Sequence, residues 1–317
     1  MKKRIRKLAD ELFPVNIIVD LFKKKKKGTG KKALVLEGGA MRGIFTCGVL
    51  TAFHDRQFFP WEIIIGSSAG AINGASYSAG QISLSRDAYF TELLSGGFIY
   101  IRNFIHPKKH ILNLDWMIKK IVMGEEPLNT KILRQNCPVI ITATHVEENA
   151  PPRTIYLSTK RDDIITSLKA TAALPYLYRG FVEYDGYSLL DGGILDPIPY
   201  RKMLEMGYRE DEILVILTRP QGYRKKEESF WIKTLLELYY HDPKYRFLID
   251  VLENRYKHYN KILNDLENKH PGIEIIYPPK NYKVDNLSRD RAQMLTGFTQ
   301  GISAGRDFLR KEAAARR

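Results

Sequence analysis

Apolar positions fall in short runs of strand length, each followed by glycines and small residues. Lys32 to Leu36 (KALVL) is the first; it leads into EGGAMRG, Glu37 to Gly43, and then into Ile44 to His54, where small and apolar residues recur at helical spacing. The pattern repeats at once: Trp61 to Ile65 predicts a strand, Gly66 to Gly70 a loop and Ala71 to Tyr77 a helix. Residues 81–135 read as mostly helical, with breaks near His106-Pro107 and Gly124 to Pro127. Pro138 to Thr144 (PVIITAT) and the alternating Arg153 to Ser158 (RTIYLS) predict strands, and Asp163 to Ala173 a helix that ends ahead of Pro175. Ser188 to Leu190, Leu214 to Leu217 and Ile273 to Tyr277 complete the strands, the first of these running into Asp191-Gly192-Gly193.

Strands separated by helices predict an α/β fold, a three-layer sandwich with a largely parallel central sheet and helices on both faces. From about Ser229 to His270 the chain turns helical, charged and aromatic, and Leu287 to Arg310 predicts a final helix. The change near Pro220 marks either a mainly helical C-terminal extension (residues 219–317, with one late strand) on a core of residues 33–218, or the last layer of one domain.

Composition alters this picture at one end. The formal charge is +14, and residues 1–32 contribute +9 of it, with twelve Lys and Arg against Asp10, Glu11 and Asp20. Phe13, Val15, Ile17, Ile18, Val19, Leu21 and Phe22 lie between two basic blocks, interrupted by Pro14, Asn16 and Asp20, which is not the pattern of an export signal. Two readings of this arm stand: a segment lying on an anionic membrane surface, or a helix packed on the body and followed by a solvated Lys23 to Lys27 linker. No apolar run reaches the roughly 18 residues of a membrane-spanning helix. Lysines attract phosphates without reading bases, and no nucleic-acid-binding motif accompanies them, so no specific nucleic acid partner is expected. Cys47 and Cys137, 90 positions apart, fit a reducing compartment rather than a disulfide or zinc site, and the cytoplasm is the expected location. Oligomeric state is not readable.

Three short stretches carry candidate chemistry. GSSAG, Gly66 to Gly70, has the GxSxG spacing of a strand-to-helix elbow, in which the central Ser68 would be the nucleophile and Ser67 a flank; a helix-capping serine is the plainer reading. EGGAMRG offers backbone N–H donors at a helix start, suited to a phosphate or to the oxyanion of acyl transfer, and its Ala40 departs from a GxGxxG nucleotide loop. Asp191-Gly192-Gly193 is a common turn whose carboxylate would act as a general base if it reached the serine.

Together EGGAMRG, GSSAG and DGG, with KATAALPYLYRG (Lys169 to Gly180) ahead of the last, resemble the ordered motifs of patatin-like phospholipases over residues 33 to about 218. The C-terminal part is similar to that of a bacterial branch of patatin-like hydrolases. The resemblance implies a serine acyl hydrolase of lipid esters, of phospholipase A, lysophospholipase or esterase type. Ser68 would be its nucleophile and Asp191 the base, with no histidine between them. It further implies an oxyanion hole from Gly38, Gly39 and Ala40, support from Arg42, Gly43, Gly66, Gly70, Gly192 and Gly193, and no metal or cofactor. Glu37 stands where the family has Asp, and Ala40 where it has a third glycine. Two alternatives stay open: a non-catalytic lipid- or membrane-binding protein on the same fold, and an α/β-hydrolase triad, for which His241, His258 and His270 follow Asp191 in the required order.

Overall fold

In the computed structural model the described residues are 30–315, except 93–99, 101, 104–105, 107–108 and 125–126. The readings made for the basic arm therefore lie, but for its last residues, outside the described part. KALVL forms β1 (Ala33–Leu36), IIIGS forms β2 (Ile63–Ser67), and these join β3 (Val139–Val146), β7 (Ile213–Ile216) and β8 (Glu274–Ile276) in a parallel array ordered β3-β2-β1-β7-β8. Three antiparallel strands extend it: β4 (Arg153–Ser158) and β6 (Tyr187–Asp191) pair with β3, and β5 (Val182–Tyr184) pairs with β6.

The central strands are apolar throughout because both faces are covered. Leu34, Leu36, Ile64, Leu214 and Ile216 project into one core, against helices Ile44–Asp55, Ala69–Ser78, Ile164–Thr171 and Arg291–Ala315. Ala33, Val35, Ile63, Ile65, Ile213 and Val215 project into the other, against Tyr200 and Met203 of helix Tyr200–Glu205 and Tyr259, Ile262, Leu263 and Leu266 of helix Arg255–Lys269. Each such buried aliphatic side chain contributes roughly 1.5–3 kcal/mol.

The C-terminal part is woven into this body. β8 closes one edge of the parallel array, helix Arg255–Lys269 covers one face, and helix Arg291–Ala315 crosses Ile44–Asp55 on the other. That crossing is close: a side chain at Gly301 would reach the Phe45 carbonyl oxygen at 2.2 Å, and one at Gly48 the Phe298 carbonyl oxygen at 2.2 Å. One strand outside the expected list, β5, also appears beside the expected β6. β5 and β6 form a hairpin through Asp185 and Gly186, both at positive φ (50° and 83°), and YDGY is a local signal for that turn. The final helix starts at Arg291 rather than near Leu287, because the Asp290 side chain accepts the Gln293 N–H (2.6 Å) and caps it there.

Candidate active site

β2 ends at Ser67 and the next helix begins at Ala69, so Ser68 alone carries the turn, at φ 52° and ψ −127°. Such a conformation costs a non-glycine residue about 1–3 kcal/mol and persists only where its surroundings enforce it. The flanks do so by close approach. A side chain at Gly66 would reach the Ala71 nitrogen at 2.6 Å, and one at Gly70 the Leu36 carbonyl oxygen at 2.4 Å. Ser67 is fully buried, its Oγ without a partner among the described residues, while Ser68 is 8% exposed and lines two adjoining cavities.

Ser68 Oγ donates to Asp191 Oδ2 at 2.7 Å, across 123 positions of sequence. Sheet register brings them together. β3 pairs with β4 along one side; along the other it pairs first with β2, as far as Ser67↔Thr142, and then with β6, beginning at Asp191↔Ala143. β2 and β6 therefore meet end to end over Thr142 and Ala143. Gly192 packs on Thr142, where a side chain would meet Thr142 Oγ1 at 2.1 Å, and the Gly193 N–H donates to Asp191 Oδ1 at 2.6 Å.

A further segment stitches both residues in place. The Ser68 N–H donates to Thr171 Oγ1 (2.8 Å), and the Asp191 N–H to the Ala173 carbonyl (3.0 Å). Both partners belong to the KATAALPYLYRG stretch, whose likeness to the family was read without a role for either residue. Of the three histidines, His258 bonds the Leu195 carbonyl (2.5 Å), His270 bonds Glu210 (2.7 Å) and His241 the Leu238 carbonyl (3.3 Å). None is hydrogen-bonded to Ser68 or Asp191.

The glycine loop lies against the serine: a side chain at Gly38 would come within 3.2 Å of the Ser68 Cβ. Its three expected donors are not equivalent. Gly38 N–H donates to the Pro197 carbonyl (3.3 Å), whereas those of Gly39 and Ala40 have no acceptor among the described residues. Ala40 takes a positive φ of 47°, the conformation a third glycine would adopt more readily. Glu37 is 1% exposed and ties the loop down: Oε2 accepts from the Thr218 N–H (2.5 Å) and hydroxyl (3.0 Å), and Oε1 from the Tyr259 hydroxyl (2.8 Å). Arg42 lies buried beneath the loop, its Nε donating to Thr218 Oγ1 (3.4 Å) and its Nη1 unpartnered. Burial, reinforced by Arg219, pushes the Arg42 guanidinium down to about 10. Gly43 accepts at its carbonyl from Asn73 Nδ2 (2.9 Å).

Two cavities open onto Ser68. The larger, about 600 Å³, is mostly apolar, with Ile72, Leu84, Leu114, Met117, Leu128 and Leu168 among its walls. The smaller, about 70 Å³, is lined by Asp191, the glycine loop and several cations together with Leu174 and Pro197. Burial raises the Asp191 carboxyl from its ordinary 3.8 to about 6, although the bond from Ser68, the charge of Arg255 and the bond from Gly193 act against the rise. Among the described residues no cluster of His, Cys, Asp or Glu is placed to hold a metal ion. No helix among them is long and apolar enough to cross a membrane.

A mostly parallel sheet with an elbow serine, a glycine loop ahead of it and a DGG turn behind it is the arrangement of the Patatin-like phospholipase family, which the chain matches over residues 34–204. The chain belongs to that family. Residues 245–314 match a domain of unknown function, DUF6363. Over 290 residues, 88% of this chain and 77% of the relative, it is 30% identical to the uncharacterized protein YjjU of Escherichia coli K12. It is 24% identical over 212 residues to lysophospholipase NTE1 of Mycosarcoma maydis, covering 63% of this chain but 10% of that protein. Among solved structures, VipD from Legionella pneumophila shares the fold at a TM-score of 0.50 and 15% identity, covering 93% of this chain and 72% of that one.

Proposed function

We propose that this protein is a serine acyl hydrolase that cleaves carboxylic ester bonds of lipids through a Ser68–Asp191 dyad, with specificity of phospholipase A or lysophospholipase type. The observation that carries it is the 2.7 Å bond to a buried carboxylate from Ser68 Oγ, whose residue lines a large, mostly apolar cavity. The lysophospholipase among its relatives supports a lipid ester as the substrate, and the cavity lies in the size range of ligand pockets.

In the first half-reaction Ser68 Oγ bonds to the ester carbonyl carbon while its proton passes to Asp191 Oδ2, and the carbonyl π pair moves to oxygen. The Gly39 and Ala40 N–H groups stabilise that oxyanion. Collapse breaks the bond to the alcohol, which leaves with the proton from Asp191. Water, deprotonated by the same carboxylate, then attacks the acyl-serine, and the fatty acid departs as Ser68 regains its proton. A carboxyl raised toward neutrality is a better base at physiological pH than one at the ordinary value.

Purified full-length protein is tested on short-chain p-nitrophenyl esters and on phospholipid vesicles, beside Ser68→Ala and Asp191→Asn. Each substitution is expected to lower kcat by about 10³-fold or more, as removal of a nucleophile or its base does elsewhere. Turnover equal to wild type in both variants would refute the assignment.

A further inference from the structure

The smaller cavity carries more positive charge than the chemistry above uses. Arg42, Arg219, Lys225 and Arg255 line it, against two carboxylates, Glu37 and Asp191, whose oxygens are already taken by Thr218, Tyr259, Ser68 and Gly193. Lys225 is paired with Glu228 at 2.9 Å. Arg219 and Arg255 have no carboxylate partner among the described residues, and the buried Arg42 Nη1 has no hydrogen-bond partner.

Arg219 and Lys225 are held where they are. Arg219 follows Thr218, which is anchored by Glu37, and its guanidinium stacks on the Tyr223 ring at 3.9 Å. Tyr223 packs edge-on against Tyr259, whose hydroxyl returns to Glu37. Asn260 grips the Lys225 backbone from both sides, accepting its N–H (2.7 Å) and donating to its carbonyl (2.9 Å). The carboxylate at position 37 thus fixes the segment after β7, which shares the serine's cavity, as well as the loop. Arg219, Lys225 and Arg255 also line the larger cavity, so the cationic wall and the apolar space are continuous at Ser68.

We propose that Arg219 and Arg255, with Arg42 beneath them and Lys225 alongside, form a subsite for a phosphate group, delivered as the headgroup of the ester whose acyl chain fills the apolar cavity. This rests on the acyl-hydrolase reading and deepens it: discrimination between phosphate-bearing and neutral esters is assigned to Arg219 and Arg255. Arg219 and Lys225 lie past the patatin-like match and Arg255 within the domain of unknown function, which thereby supplies specificity to a serine borne by the core. Guanidinium groups suit the task because their planar N–H forks match phosphate oxygens and remain charged.

The test compares 1-oleoyl lysophosphatidic acid with 1-monooleoylglycerol, which share an acyl chain and differ by the phosphate. Binding of each is measured to Ser68→Ala and to Ser68→Ala carrying Arg219→Gln and Arg255→Gln; kcat/KM is measured for wild type and the double glutamine variant, with inorganic phosphate as a competitor. The anionic-to-neutral ratio, in binding and in kcat/KM, is expected to fall about tenfold or more per guanidinium lost, with Arg→Lys variants between. Equal loss on both lipids, or an unchanged ratio in a folded variant, overturns the subsite. An unchanged ratio with loss of inhibition by inorganic phosphate reveals a free-anion site and overturns the headgroup assignment. Should Ser68→Ala keep full turnover, the nucleophile assignment fails, and the binding ratio still decides the subsite.

Discussion

At the scale of single residues the decisive one is Asp191, the proposed base, whose burial comes at the expense of stability. Its carboxyl, raised to about 6, holds its proton more tightly in the folded chain than in the unfolded one. Below about pH 4 it is neutral in both states and costs nothing; as pH rises toward 6 stability is lost, and above 6 the full penalty applies, on the order of 3 kcal/mol. Asp191→Asn, which keeps the shape and the acceptor for Gly193, is therefore expected to raise Tm by about 4–5 °C at pH 8 and to bring no gain near pH 4. In the proposed mechanism the same protonation sets activity: wild-type kcat/KM is expected to fall as pH drops through about 6, tenfold per unit below it. Calorimetry and a pH–rate profile check both, and a variant less stable than wild type at pH 8 would contradict the account. Choosing Ser68 over Ser67 needed only the glycine spacing of five consecutive residues, although the two glycines are demanded differently: Gly66 by Ala71 in the elbow itself, and Gly70 by the Leu36 carbonyl at the end of β1. Glu37 was legible as a departure from the family's Asp, but its bonds to Thr218 and Tyr259 span 181 and 222 positions, which no local pattern encodes.

Among elements, helix Ile164–Thr171 and the turn after it do more than pack. Thr171 accepts the Ser68 N–H and Ala173 the Asp191 N–H, so one segment sets the relative position of the proposed nucleophile and base. Thr171→Val removes the acceptor, leaves a buried N–H unpaired at a cost of about 1–3 kcal/mol, and frees the strained elbow to relax. The expected result is a kcat lower by roughly 10- to 100-fold, KM changed little, and recovery in Thr171→Ser, because misplacement of the nucleophile acts on the chemical step. A KM effect as large as the kcat effect, or no rescue by serine, would argue for a merely structural role. The strands β1, β2, β3 and β7 were readable because strands buried on both faces are apolar along their whole length. β5, three residues long, carries too little pattern to stand out, though the Asp185-Gly186 turn beside it was available as a signal.

For the whole molecule, the C-terminal third behaves as part of the body. β8 extends the sheet beyond β7, and two helices bury opposite faces of the same strands. Deleting residues 245–317 strips cover from both cores at once. It is expected to yield insoluble protein without a cooperative melt in far-UV circular dichroism, whereas a soluble fragment with a sharp transition would show a self-sufficient core. What the sequence determined by itself was local: the order of strands and helices, the elbow and its serine, the glycine loop, the DGG turn, and through their order the family. Each depends on residues within a few positions of one another, where sterics and hydrogen bonding act directly. The tertiary structure alone decided the pairing of Ser68 with Asp191, the inequivalence of Gly38 with Gly39 and Ala40, and the gathering of Arg219 and Arg255 beside the serine. Those rest on where β2 and β6 end along β3 and on how a late helix closes over the site, contacts set by packing of the entire chain.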